Sequence, residues 1–105
     1  MKAIIVRPYQ EPVVEEIGET LKDMQTVVNG RIEEIMPFED EIALICNEEG
    51  KVRGLPLNRA IFAENGQLLD IIAGTFFLCY APIESETFAS VPEDLMNKYI
   101  DMFSL

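Results

Sequence analysis

The run Ala73-Gly-Thr-Phe-Phe-Leu-Cys-Tyr80 constrains the fold more than any other part of this chain. Its length suits a strand better than a helix, and its apolar residues fall on both alternating faces, so both faces need cover. A central strand is therefore expected here, with Gly74 marking a bulge or a close backbone approach. Covering both faces requires layers above and below the sheet. A chain of 105 residues is long enough for one such core, since single domains typically use ~100 to 200 residues. We read residues 1–105 as a single domain.

The surrounding pattern supplies the layers. Lys2 to Pro8 reads as a strand rich in β-branched residues, and Val13 to Ile17 as a second, joined by the Tyr9-Gln-Glu-Pro12 turn. Thr20 to Asn29 places Leu21, Met24, Val27 and Val28 on one helical face, with Gly30 just past the helix end. Arg31 to Phe38 and Glu41 to Cys46 read as strands, and Asn47 to Gly50 carries the Asn and Gly of a tight hairpin loop. Gly54 and Pro56 interrupt the pattern, so Leu55 to Ala60 is expected to be an irregular crossing or a short helix. Glu64-Asn-Gly-Gln67 is an Asn-Gly turn into a strand over Leu68 to Ile72. Ser90-Val-Pro-Glu93 has capping-box spacing, and Leu95, Met96, Tyr99, Ile100, Met102 and Phe103 then form a wide apolar helical face. The fold class is α+β: a mostly antiparallel sheet with two packed helices, about 20–29 and 91–104.

Composition removes several kinds of chemistry. The chain has no histidine, which excludes His-dependent triads, His-based zinc sites and imidazole proton shuttles. Neither a P-loop nor a GxGxxG turn is present. Cys46 and Cys79 lie in apolar segments without CxxC spacing and read as buried reduced thiols, a disulfide between neighbouring strands being the alternative. The paired acids Glu15-Glu16, Glu33-Glu34 and Glu48-Glu49 alternate faces along strands, so one member of each pair at most can face a shared site. Glu39-Asp40-Glu41 can hold a hard cation, but its plainer reading is solvated loop charge. No catalytic residue, metal site or cofactor is assigned. No apolar run approaches the ~18 to 20 residues of a membrane span, and the N-terminal apolar run is too short for a signal peptide, so a soluble cytoplasmic protein is expected.

The formal net charge of -11 argues against direct nucleic-acid binding and favours basic partners. Three of the eight basic residues, Lys51, Arg53 and Arg59, nevertheless fall in the polar island 47–59. With Asn47 and Asn58 they offer amide and cationic donors suited to an anionic group. The plainer reading is a hairpin and loop in which Lys51 and Arg53 pair with Glu48 and Glu49. Asp70, between Leu69 and Ile71, is expected either to cap backbone amides or to pair with Arg59.

The segments Lys2-Ala-Ile-Ile-Val-Arg-Pro, Pro37-Phe-Glu-Asp-Glu, Cys46-Asn-Glu-Glu-Gly-Lys51, Gly54-Leu-Pro-Leu-Asn-Arg59 and Asp70-Ile-Ile-Ala-Gly-Thr-Phe-Phe77 resemble a small domain-of-unknown-function family, the 3846 series. The resemblance covers nearly the whole chain. It implies an accessory protein of Gram-positive bacteria, their phages or conjugative elements, with no established catalytic residues. Asn58-Arg59 and Ala73-Gly-Thr75 are its distinctive parts, which puts Thr75 in the candidate surface. That surface comprises Asn47, Lys51, Arg53, Asn58, Arg59, Asp70 and Thr75. Three functions compete. The leading one is a non-enzymatic accessory protein that binds a host protein, including an anti-restriction or anti-defence form in which carboxylates stand in for DNA phosphates. The alternative is capture of a small anionic, nucleotide-like ligand by the island. An enzyme using paired carboxylates or a cysteine is the least favoured.

Overall fold

A computed structural model describes residues 1–105. The central run does lie at the heart of the fold. It divides at Gly74: β6 (Leu68–Ala73) ends there, and β7 (Phe76–Tyr80) follows. A five-stranded antiparallel sheet runs in the order β2 (Val13–Glu16), β1 (Lys2–Val6), β7, β4 (Ile42–Asn47), β3 (Ile32–Ile35). β5 (Leu57–Phe62) and β6 form a separate two-stranded antiparallel ladder. The helices are α1 (Leu21–Val28) and α2 (Glu93–Met102).

Alternation along the inner strands builds two cores. Ile4, Val6, Ile42, Leu44, Cys46, Phe76 and Leu78 point to one face, where α2 and the β5–β6 ladder cover them with Met96, Tyr99, Ile61 and Ile72. Ala3, Ile5, Ala43, Ile45, Phe77 and Cys79 point to the other, beneath Met24 and Val28 of α1. Each full burial of such a side chain stabilises by roughly 1.5 to 3 kcal/mol. Edge-to-face contacts of Phe38 on Tyr99 (ring centroids 5.0 Å) and Phe76 on Phe103 (5.3 Å) lock α2 in place. The Cα radius of gyration of 12.7 Å matches the ~13 Å of a single globule this long. The edge strands β2 and β3 carry Glu15, Glu16, Glu33 and Glu34, charges that discourage further strand pairing.

Several local expectations change. Leu57–Phe62 is a strand, with a register shift between Leu57 and Arg59 that absorbs Asn58. Asn47–Gly50 is not a hairpin loop, because β4 pairs with β3 and β7 and the chain leaves the sheet to reach the second ladder. β3 is only four residues long. Leu21 is exposed, so the buried face of α1 rests on Met24 and Val28. The capping box belongs to α1, where Thr20 Oγ1 accepts from the Asp23 N–H and Asp23 accepts from the Thr20 N–H. At α2 it is absent, since Ser90 Oγ instead accepts the Lys2 N–H at 2.8 Å and no side chain caps the helix. The left-handed residue closing α1 is Asn29, at φ 61°, rather than Gly30.

Candidate functional site

The structure distributes the polar groups of the island 47–59 among separate structural tasks. Asn47 follows Ile45 in facing α1, and it is only 5% exposed. Its Nδ2 donates to the carbonyls of Val28 (3.1 Å) and Asn29 (3.2 Å), while its Oδ1 accepts the Glu49 N–H at 2.8 Å. One amide thereby closes the end of α1 and shapes the turn leaving β4. Arg53 Nη1 adds a 2.8 Å hydrogen bond to the Asn29 carbonyl, a cation at the negative end of the helix dipole.

Asn58 and Arg59 work on the opposite side of the ladder. Asn58 Nδ2 donates to the carbonyls of Val6 and Gly74, both at 2.9 Å. Arg59 Nε donates to the Phe103 carbonyl at 3.0 Å, Nη2 to the Gln10 carbonyl at 2.7 Å and Nη1 to Asn58 Oδ1 at 2.8 Å. The guanidinium ties the β1–β2 turn and the end of α2 to β5. The Asn58-Arg59 and Ala73-Gly-Thr75 segments do meet, through the Gly74 carbonyl, and Gly74 at φ 82° passes close under Leu55. Thr75 is half-buried in the adjoining turn.

Lys51 takes neither Glu48 nor Glu49 but Asp70, at 2.5 Å, and Glu48 pairs instead with Arg31. Asp70 also accepts its neighbour Ile71's N–H at 2.7 Å. It therefore caps a backbone amide on the open edge of β6 and does not meet Arg59. The Lys51 hydrogen bond is the main reason the Asp70 carboxyl sits below its ordinary range. A cleft of about 220 Å³ lies beside this pair, bordered by Glu33, Cys46, Asn47, Glu48 and Val52. Of the seven candidate residues, this cleft unites Asn47, Lys51 and Asp70.

The cysteines stand on opposite faces of the sheet and both are free. Burial, reinforced by Glu33 at Cys46 and by Glu34 at Cys79, pushes each thiol up to about 12. Neither supplies a thiolate near neutrality. The Glu39-Asp40-Glu41 run is engaged rather than merely solvated: Asp40 receives Lys98 Nζ (2.7 Å) and the Tyr99 hydroxyl (2.8 Å), and Glu41 receives the Ile83 N–H (3.1 Å). No group of three or more acids and cysteines is gathered as a metal ion would require.

The family model described as a domain of unknown function, DUF3846, matches residues 1–104. The chain belongs to this family. No curated protein and no solved structure matches it.

A second region of the DUF3846 chain lies outside the island, in the loop 81–88. The loop after β7 is ordered by Glu41 and by a Ser85–Thr87 hydrogen-bonded turn, and it lifts Ile83 into solvent at 84% exposure. Glu34, Met36 and Glu86 border the hollow on one side of this loop, and Glu41 and Glu84 the hollow on the other. No cation lines either hollow. The cations of this chain are occupied elsewhere, since every basic side chain except Lys22 holds an ion pair or a hydrogen bond. The signal available in sequence was Glu84-Ser-Glu86 directly after the apolar Ile83, but its approach to Glu34 and Glu41 depends on the fold. No helix is long and apolar enough to cross a membrane.

Proposed function

We propose that this DUF3846 protein acts by binding a protein partner rather than by turnover, presenting the acidic face around Ile83 to a basic surface. The observation that carries this reading is the asymmetry of its charges. The cations other than Lys22 are tied to acceptors within the chain, whereas Glu34, Glu84 and Glu86 have no ion-pair partner and surround an exposed apolar side chain. Exposed carboxylates steer a basic partner, and a central apolar contact supplies affinity. An anti-restriction or anti-defence role in a host cytoplasm, with these acids replacing phosphates on a DNA-binding groove, is the specific form of this reading.

Anionic-ligand capture by the island is the less favoured reading. Lys51 would have to release Asp70, and Arg59 would have to release three acceptors, before either could serve a phosphate. The test is affinity capture from host lysate with the parent and an Ile83→Ala, Glu84→Gln, Glu86→Gln variant, at low and high salt. Retention of a basic protein by the parent, lost with salt and lost in the variant, supports the proposal. Equal retention by both proteins, or stabilisation of the parent by phosphorylated metabolites that depends on Lys51, counts against it.

A further inference from the structure

The β5–β6 ladder has one face in the core and one in solvent. Ile61 and Ile72 are buried, so their neighbours Ala60, Phe62 and Ile71 turn outward, with Ala60 paired to Ile71 and Phe62 to Leu68 across the ladder. Phe62, Leu68, Leu69 and Ile71 are between 38% and 53% exposed. Met102 at the end of α2, also exposed, extends this surface across a hollow of about 250 Å³ lined by Phe38, Ala60, Phe62 and Phe103, with Glu64 as its one charged side chain. Within the two strands the only charges are Arg59 and Asp70, and both are bound to other parts of the chain. A neutral apolar face on a body of charge -11 is an exception to the rest of the surface.

We propose that a second copy of this chain covers this face, the two ladders packing across a two-fold axis. Three observations favour a second copy over a basic partner. The outward residues of the two strands carry no carboxylate and the adjoining hollow has one, Glu64, against four around Ile83, so charge complementarity directs a basic protein elsewhere. Two bodies carrying the same strong charge meet with least repulsion where neither presents it. The area also fits: the five half-exposed apolar side chains Phe62, Leu68, Leu69, Ile71 and Met102 present on the order of 500 Å², so a symmetric contact removes roughly 1,000 Å², the lower end for specific association. A two-fold contact sets each apolar row against the same row of the other copy, as in sheets packed face to face.

The test is sedimentation equilibrium of the full chain across a concentration series at low and high salt, with a Phe62→Ser, Leu68→Thr variant alongside. A monomer–dimer equilibrium is expected, with a dissociation constant on the order of micromolar for so small an interface. It should tighten with salt, because screening removes repulsion between like-charged copies. The variant should weaken it at least tenfold. Ile71→Lys, on the solvent side of β6, should do the same and guards against a folding defect in the double variant. A parent that stays monomeric at every concentration overturns the proposal. So does a dimer that persists in folded variants or weakens with salt. Neutralising Glu84 and Glu86 should leave the dimer intact, which separates this outcome from that of the acidic-face reading.

Discussion

The segment 47–59 and the outer face of the β5–β6 ladder are adjacent in the fold and opposite in character. The first is rich in amides and cations, yet Asn47, Arg53, Asn58 and Arg59 spend their donors on the carbonyls of Val28, Asn29, Val6, Gly74, Gln10 and Phe103. The second has few polar groups, and its Phe62, Leu68 and Ile71 remain about half exposed. Polar composition in this molecule marks where the layers are fastened together. The exposed apolar side chains and the carboxylates without an ion-pair partner lie on the ladder face and around Ile83.

Substitutions should separate the two regions by what they damage. The largest effect is expected at Asn47, where alanine takes the side-chain donor from the buried Val28 carbonyl, one of two side-chain donors from the Asn29 carbonyl, and the acceptor from the Glu49 N–H. We expect a loss of about 3 kcal/mol, read as a lower urea midpoint at unchanged slope. Arg59→Ala should follow at about 2 kcal/mol, and Tyr99→Phe at about 1 kcal/mol through loss of the hydroxyl bond to Asp40. Lys51→Ala removes an exposed ion pair and should cost under about 1 kcal/mol. On the ladder's outer face, Ile71→Thr should change monomer stability by no more than about 0.5 kcal/mol while disturbing association. If the order is reversed, with the apolar face mattering more to folding than the island, the contrast between the regions fails.

Acid titration sharpens the same contrast. Lys98 and then Tyr99 hold the Asp40 carboxyl below its ordinary value of 3.8, and Lys51 does so for Asp70. The unfolded chain therefore binds protons more readily than the native one as the pH falls. The stability these groups add is present above pH 3.8 and drains away below it, towards their folded values. Asp40→Asn should flatten that decline in an acid-unfolding series. An unchanged slope would show that the Lys98–Tyr99 contact contributes nothing.

The sheet strands and both helices were legible because hydrophobic period is a local signal: Ile42 to Cys46 and Phe76 to Tyr80 had to be buried, and Met24 with Val28 had to share a face. β5 was hidden by Pro56 and Asn58, residues that usually interrupt a strand; here Asn58 sits at a register shift. The candidate site was partly legible. Asn47, Lys51 and Asp70 do share a cleft, and Asn58 does reach Gly74. The reach of Arg59 to Gln10 and Phe103 could not be read, because those partners are backbone carbonyls far along the chain, and every residue type carries one. The Ser90–Glu93 spacing misled for a related reason: Ser90 had a tertiary partner in the Lys2 N–H.

The most direct measurement is thermal unfolding of Arg59→Ala beside the parent, without any added ligand. If the island fastens the layers, the midpoint should fall by about 8 °C or more, the shift that about 2 kcal/mol produces in a domain of this size. A midpoint unchanged from the parent would contradict the structural role and return Arg59 to the surface as a cation free to bind.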